Sequence, residues 1–114
     1  MNAPPAKPVR YGMVLRLRPE CLEDYRRHHA AAWPGVLAAI SQAGLGNFSI
    51  YHKDGLLFSY FEYHGNDFQA DMTRLAADPT TQRWWALMEP MQDPWPTRAP
   101  GEWWARMEEL FHHD

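Results

Sequence analysis

One cysteine, Cys21, is all the thiol this chain carries in 114 residues. No internal disulfide can therefore brace the fold, and a reducing, cytoplasmic setting is expected. Basic charge is also short: 11 Lys and Arg stand against 14 Asp and Glu, a formal net charge of −3. That balance leaves no electrostatic footprint for nucleic acid or for an anionic membrane surface. No apolar run approaches the roughly 20 residues that a bilayer-spanning helix needs. The opening MNAPPAKP has no hydrophobic segment of the secretory kind and reads as a short disordered arm over residues 1–8, followed by a single domain over 9–114. HExxH, CxxC, GxSxG and a glycine-rich phosphate loop are all missing, so the usual zinc, serine-hydrolase and P-loop signatures do not apply. His28-His29 and His112-His113 are neighbours whose side chains diverge, so no metal site is expected.

Aromatic residues, by contrast, are abundant. Six tryptophans occur, four of them in the pairs Trp84-Trp85 and Trp103-Trp104. Adjacent residues on one helix cannot face the same core, so one member of each pair should meet a ligand, a partner chain or solvent. Indole faces suit sugar rings among other ligands.

The element pattern is readable. VRYGMVLRLR (9–18) alternates, with Val9, Tyr11, Met13, Leu15 and Leu17 on one face and Arg10, Arg16 and Arg18 on the other, as in a half-buried strand. Pro19 opens a helix expected over about 20–43, with a kink or break near Trp33 because Pro34 lacks the N–H of a helix interior. NFSIYHK (47–53) and LLFSYFEY (56–63) flank Asp54-Gly55, a hairpin signal. Helical spacing follows over 67–78 and 79–91, then a proline-rich loop over 92–101. The tail EWWARMEELFHHD favours helix locally, yet a final strand would complete a βαββαβ ferredoxin-like order, an antiparallel sheet with helices on one face. Aromatics on both strand faces make a second subunit the expected cover for the other side of the sheet.

At 100° per residue, His29 lies about 40° from Tyr25 and His28 about 60° the other way. The two histidines are thereby separated: His29 faces inward beside Tyr25, one turn away, and His28 sits at the margin. A histidine in a cleft can both accept and give a proton near neutrality, although a hydrogen-bonded core histidine has the same spacing. Glu62, on the face shared by Leu56, Phe58 and Tyr60, is a carboxylate among apolar neighbours: a rim residue, an ion-pair member or a functional group.

Taken in order, Y-x-x-x-H-x-x-x-W-P (25–34), N-F-S-I (47–50), L-F-x-x-x-E (57–62), Q-R-W-W (82–85) and the terminal M-E-E-L-F-H (107–112) make the chain similar to the L-rhamnose mutarotase family. The resemblance covers about 9–114. It implies a homodimeric α+β barrel of ferredoxin-like units with a strand in the tail, an isomerase that interconverts the α and β anomers of a deoxy-hexose, and no metal or organic cofactor. It implies that His29 is the proton donor, Tyr25 a sugar-binding residue on the same helix, and Trp84 and Trp85 the tandem tryptophans of the substrate wall. Where the family often has a substrate-contacting tyrosine, this chain has Phe48. The missing hydroxyl removes one sugar hydrogen bond, worth about 0.5–1.5 kcal/mol, so L-fucose or another deoxy-sugar stays open beside L-rhamnose.

Ring opening needs one proton delivered to the ring oxygen and another removed from the anomeric hydroxyl. His29 suits the first; Tyr25, Glu62 or a water could mediate the second. Two rivals fit the same residues. One is a dimeric-barrel oxygenase or isomerase acting on an aromatic or polyketide substrate; the other is a non-catalytic sugar-binding module.

Overall fold

A computed structural model describes residues 7–114. The arm expected over residues 1–8 lies mostly outside the described residues, and the first strand starts at Val9. Strand β1 (Val9–Leu17) is followed by a 3-10 turn at Pro19–Cys21 and helix α1 (Leu22–Ala30). Helix α2 (Pro34–Gln42) leads to the hairpin β2 (Leu45–Lys53) and β3 (Leu56–Tyr63). Helices α3 (Phe68–Ala77) and α4 (Pro79–Met88) come next, and two short strands close the order, β4 (Gln92–Asp93) and β5 (Ala105–Met107).

Local chemistry sets these boundaries. Trp33, forced out of the helical region by the proline that follows it, is extended at φ −66° and ψ 134°, and Pro34 takes the first position of α2. The expected helix is therefore two helices separated by Ala31–Trp33 rather than one bent rod. Asp54 and Gly55 both adopt left-handed backbone, φ 51° and 80°, as the tight two-residue turn between β2 and β3 requires. Asp67 and Asp78 cap α3 and α4, their carboxylates accepting from the main-chain N–H groups of Ala70 and Thr81.

All pairings are antiparallel and the sheet order is β2-β3-β1-β4, with β5 also against β1. The final strand is in two pieces on one edge of β1. Leu17 faces Gln92 and Arg16 faces Asp93, but Val14 faces Ala105 where an uninterrupted strand would have brought Trp95. Ten residues have been looped out of the strand's middle. The strand in the tail is present, confined to Ala105–Met107, and its register with Gly12–Val14 overrides the helical preference of the segment. The residues beyond Met107 form no regular element.

Alternation puts Tyr11, Leu15 and Leu17 of β1 and Leu57, Phe61 and Tyr63 of β3 on the helix-covered face. There they form two clusters. One joins Leu15, Leu17 and Leu57 to Tyr25 of α1, Val36 of α2 and Trp84 and Met88 of α4. The other joins Tyr11, Phe61 and Tyr63 to Ala39, Ala43 and Leu75. All four helices thus lie on one face. The opposite face presents Arg10, Gly12, Val14 and Arg16 against Glu62, Tyr60, Phe58 and Leu56, with Tyr51 exposed beside them.

Candidate active site

Helix α1 delivers the site to the first cluster. Tyr25 is its one buried residue, and His29, a turn later and half-buried, stacks on it with ring centroids 4.3 Å apart at 30°. Trp84 of α4 meets the imidazole edge-on at 5.4 Å and meets Trp33 at 5.1 Å. His28 reaches the same indole only from 6.4 Å. The structure therefore assembles Tyr25, His29, Trp33 and Trp84, and the helix arithmetic that chose His29 over His28 matches the contacts.

The ring nitrogens are distinguishable. His29 Nδ1 lies 2.8 Å from the main-chain carbonyl of Tyr25. A carbonyl oxygen only accepts, so Nδ1 carries the hydrogen and Nε2 of the neutral ring presents its lone pair. Burial pulls the imidazole pKa below its ordinary value; the Tyr25 carbonyl opposes this, and the neighbouring His28 adds to it. Burial likewise pushes the Tyr25 phenol upward, against a hydrogen bond from Gln92 that favours its charged form. At neutral pH the pair is thus a neutral imidazole with a free basic nitrogen and a protonated phenol.

Gln92 is a site residue that the sequence did not disclose. Its amide lies between the Tyr25 hydroxyl, at 3.0 Å from Nε2, and the Trp103 indole N–H, at 2.7 Å from Oε1. It is 5% exposed and 67 residues from Tyr25 in the chain, a contact that no local pattern encodes. Trp103 is 39% exposed, and Trp104 beside it packs on the first cluster. The two members of this pair thus divide between site and core.

Three expected residues stand elsewhere. Trp85 is on the outer side of α4, 38% exposed. Phe48 packs on Phe61 at 5.4 Å, near the second cluster. Glu62 lies on the uncovered face, where Asn47 Nδ2 and the Tyr60 hydroxyl each donate to it at 2.8 Å; the Asn47 bond first and then the Tyr60 bond hold its pKa low. The sheet separates that carboxylate from His29 of the same chain. A cavity of about 300 Å³ beside Arg16, Pro19, Asp54 and Asp93 includes neither Tyr25 nor His29. Among the described residues no three His, Cys, Asp or Glu side chains are grouped closely enough to hold a metal ion.

The family model for L-rhamnose mutarotase matches residues 10–113, nearly the whole chain. The chain belongs to the L-rhamnose mutarotase family. A relative named L-rhamnose mutarotase from Sinorhizobium fredii is 35% identical over 95 residues, 82% of this chain and 86% of that protein. As a member of the mutarotase family the chain is an enzyme of the isomerase class that interconverts anomers. Among solved structures, an L-rhamnose mutarotase from Formosa agariphila superposes with a TM-score of 0.73 at 20% identity, covering 93% of this chain and 99% of that one. Tetracenomycin F2 cyclase from Streptomyces glaucescens, a type II polyketide cyclase, superposes at 0.70 with 16% identity over 93% of this chain and 97% of that one. Both share the ferredoxin-like α+β fold with this mutarotase.

Proposed function

We propose that the protein interconverts the α and β pyranose forms of L-rhamnose, with Tyr25 and His29 carrying the protons. The observation that supports this most directly is the fixed tautomer of His29 beside a phenol whose hydroxyl has no acceptor among the described residues. The Tyr25 oxygen accepts from Gln92, so its own hydrogen is available to a sugar oxygen.

The reaction balances with these two groups. His29 Nε2 takes the proton of the anomeric hydroxyl while the Tyr25 hydroxyl donates to the ring oxygen. The bond between the anomeric carbon and the ring oxygen breaks, and its electron pair stays on the oxygen as the aldehyde forms. Rotation about the adjacent carbon–carbon bond exposes the other aldehyde face, and reclosing returns both protons. In a reversible exchange His29 is base on opening and acid on reclosing, so it donates at the anomeric oxygen and not, as the sequence suggested, at the ring oxygen, because Nε2 of the neutral ring carries no proton to deliver there. Trp84 forms the apolar wall nearest the imidazole, and Trp85 lies farther out on the same helix.

The uncovered sheet face supports a homodimer. Tyr51 is 65% exposed there, beside Phe58, Tyr60 and Val14, and a second copy of this face would cover it by twofold symmetry. No helix among the described residues is long and apolar enough to cross a membrane. We assign the dimer to the cytoplasm, where its lone thiol, Cys21, is stable.

Saturation-transfer proton NMR tests the reading directly, with L-rhamnose, L-fucose and D-glucose in parallel. Faster anomer exchange in L-rhamnose than in buffer is expected. Preferential acceleration of L-fucose would move the substrate within the deoxy-hexoses. Saturable binding without acceleration of any sugar would leave a binding module in place of an enzyme.

A further inference from the structure

The ten residues looped out of the final strand return to the sheet beside the reacting groups. Glu102 braces the return: its carboxylate accepts from the main-chain N–H of Ala99 at 3.0 Å and of Arg106 at 3.4 Å, and its own N–H donates to the Ala99 carbonyl at 3.1 Å. Trp104 anchors on the first core cluster. Trp103 is thereby delivered with its indole N–H 2.7 Å from Gln92 Oε1.

That contact decides the direction of the next one. An indole N–H can only donate, so the amide atom it meets must be the oxygen. The other amide atom is then the NH2, and it donates to the Tyr25 hydroxyl oxygen at 3.0 Å. Without the indole, the Gln92 amide could rotate by half a turn and offer its oxygen to Tyr25. The phenol would then donate to Gln92, and its hydrogen would be lost to the sugar. Gln92 is buried and pinned at the main chain by its pairing with Leu17, so water cannot readily replace the indole as the orienting donor.

We propose that Trp103 is a positioning residue for the reaction, acting through Gln92 to keep the Tyr25 oxygen occupied and its hydrogen directed to substrate. This rests on the mutarotase reading given above.

The test compares the wild type with Trp103→Phe, which keeps an aromatic face and removes the donor, and with Gln92→Glu, which can accept from both neighbours and donate to neither. Trp95→Phe, in the same loop but stacked on Arg16 at 5.9 Å, is the control. Trp103→Phe is expected to lower kcat about tenfold with KM changed less, short of the 10²–10⁴ of a positioned acid or base removed outright. Gln92→Glu should fall at least as far, and Trp95→Phe should match the wild type. Ultraviolet titration of the Tyr25 phenol, assigned by difference against Tyr25→Phe, supplies a readout that a purely structural prop would not move. Loss of donation from Gln92 should push that titration to higher pH in both variants, and Gln92→Glu gives the same reading should Trp103→Phe not fold. Normal kcat and an unmoved phenol titration in Trp103→Phe would overturn the relay. A wild type that accelerates no sugar overturns the mutarotase reading and, with it, the catalytic purpose of the contact; wild-type acceleration with an unaffected Trp103→Phe overturns the relay alone.

Discussion

His29 Nδ1 and the Tyr25 main-chain carbonyl, 2.8 Å apart on one helix turn, hold the imidazole in a single tautomer with no side chain spent on the task. The bond is local, so it survives changes elsewhere in the cluster. His29→Ala is expected to lower anomer exchange by about 10²–10⁴ with the fold intact. His28→Ala, which removes a distant edge contact to Trp84 and the smallest of the influences on the His29 pKa, should stay close to wild type. Saturation-transfer rates for the two variants decide the matter; equal losses would contradict it.

The pH dependence follows from the same ring. Burial lowers the folded-state pKa of His29, so the base is active above a value under the ordinary 6.5, and the rate should be flat through neutrality and decline on the acid side. Stability has the matching sign. The unfolded state binds the proton more readily, so this contribution is complete above about pH 6.5 and is lost as pH falls toward the lower folded value. Denaturant midpoints of wild type and His29→Gln at pH 7 and pH 5 test this, the acid-side loss being smaller in the variant.

Trp84 and Trp85 should behave as unlike residues despite their adjacency. Trp84 is 6% exposed and meets His29 and Trp33 edge-on; truncation to Ala should cost about 3–5 kcal/mol of stability along with activity. Trp85→Ala should unfold near the wild-type midpoint and raise KM, the outer indole being the part of the substrate wall that the core does not need. Thermal unfolding and saturation kinetics on the two variants separate the cases.

Much of this arrangement was legible in the sequence because its causes are local. The i, i+4 spacing of Tyr25 and His29, the break at Trp33-Pro34 and the Asp54-Gly55 turn depend on residues within a few positions of one another. Glu62 shows where local reading stops: alternation set it beside Leu56, Phe58 and Tyr60, but only packing reveals that the helices cover the other face. The final strand was obscured for a related reason. Its two pieces are defined by their registers with β1, and neither Gln92-Asp93 nor Ala105–Met107 is long enough to show a period. Gln92 gained its role from a contact across most of the chain, and family resemblance pointed to the tail strand where propensity did not.

The uncovered sheet face gives a prediction independent of chemistry. Tyr51→Asp places a carboxylate on the face of the proposed twofold interface while leaving Tyr25, His29 and Gln92 untouched. Sedimentation velocity should show a dimer for the wild type and a shift toward monomer for the variant. Glu62→Gln, on the same face, should disturb association more than kcat. A Tyr51→Asp protein that sediments as the wild type would place the interface elsewhere.

The divided final strand also bears on how this protein tolerates crowding. Fibril growth and domain exchange need a long row of unpaired main-chain donors and acceptors at a sheet margin. One margin here is made of a two-residue and a three-residue strand with a loop thrown out between them. The other is interrupted by a bulge between Gly46 and Ser49, where Asn47 turns to φ 45°, and ends at Lys53. Neither offers a neighbouring chain a long unbroken template: the bulge shortens the β2 margin to Ser49–Lys53, and the loop that carries Trp103 interrupts the margin made by β4 and β5.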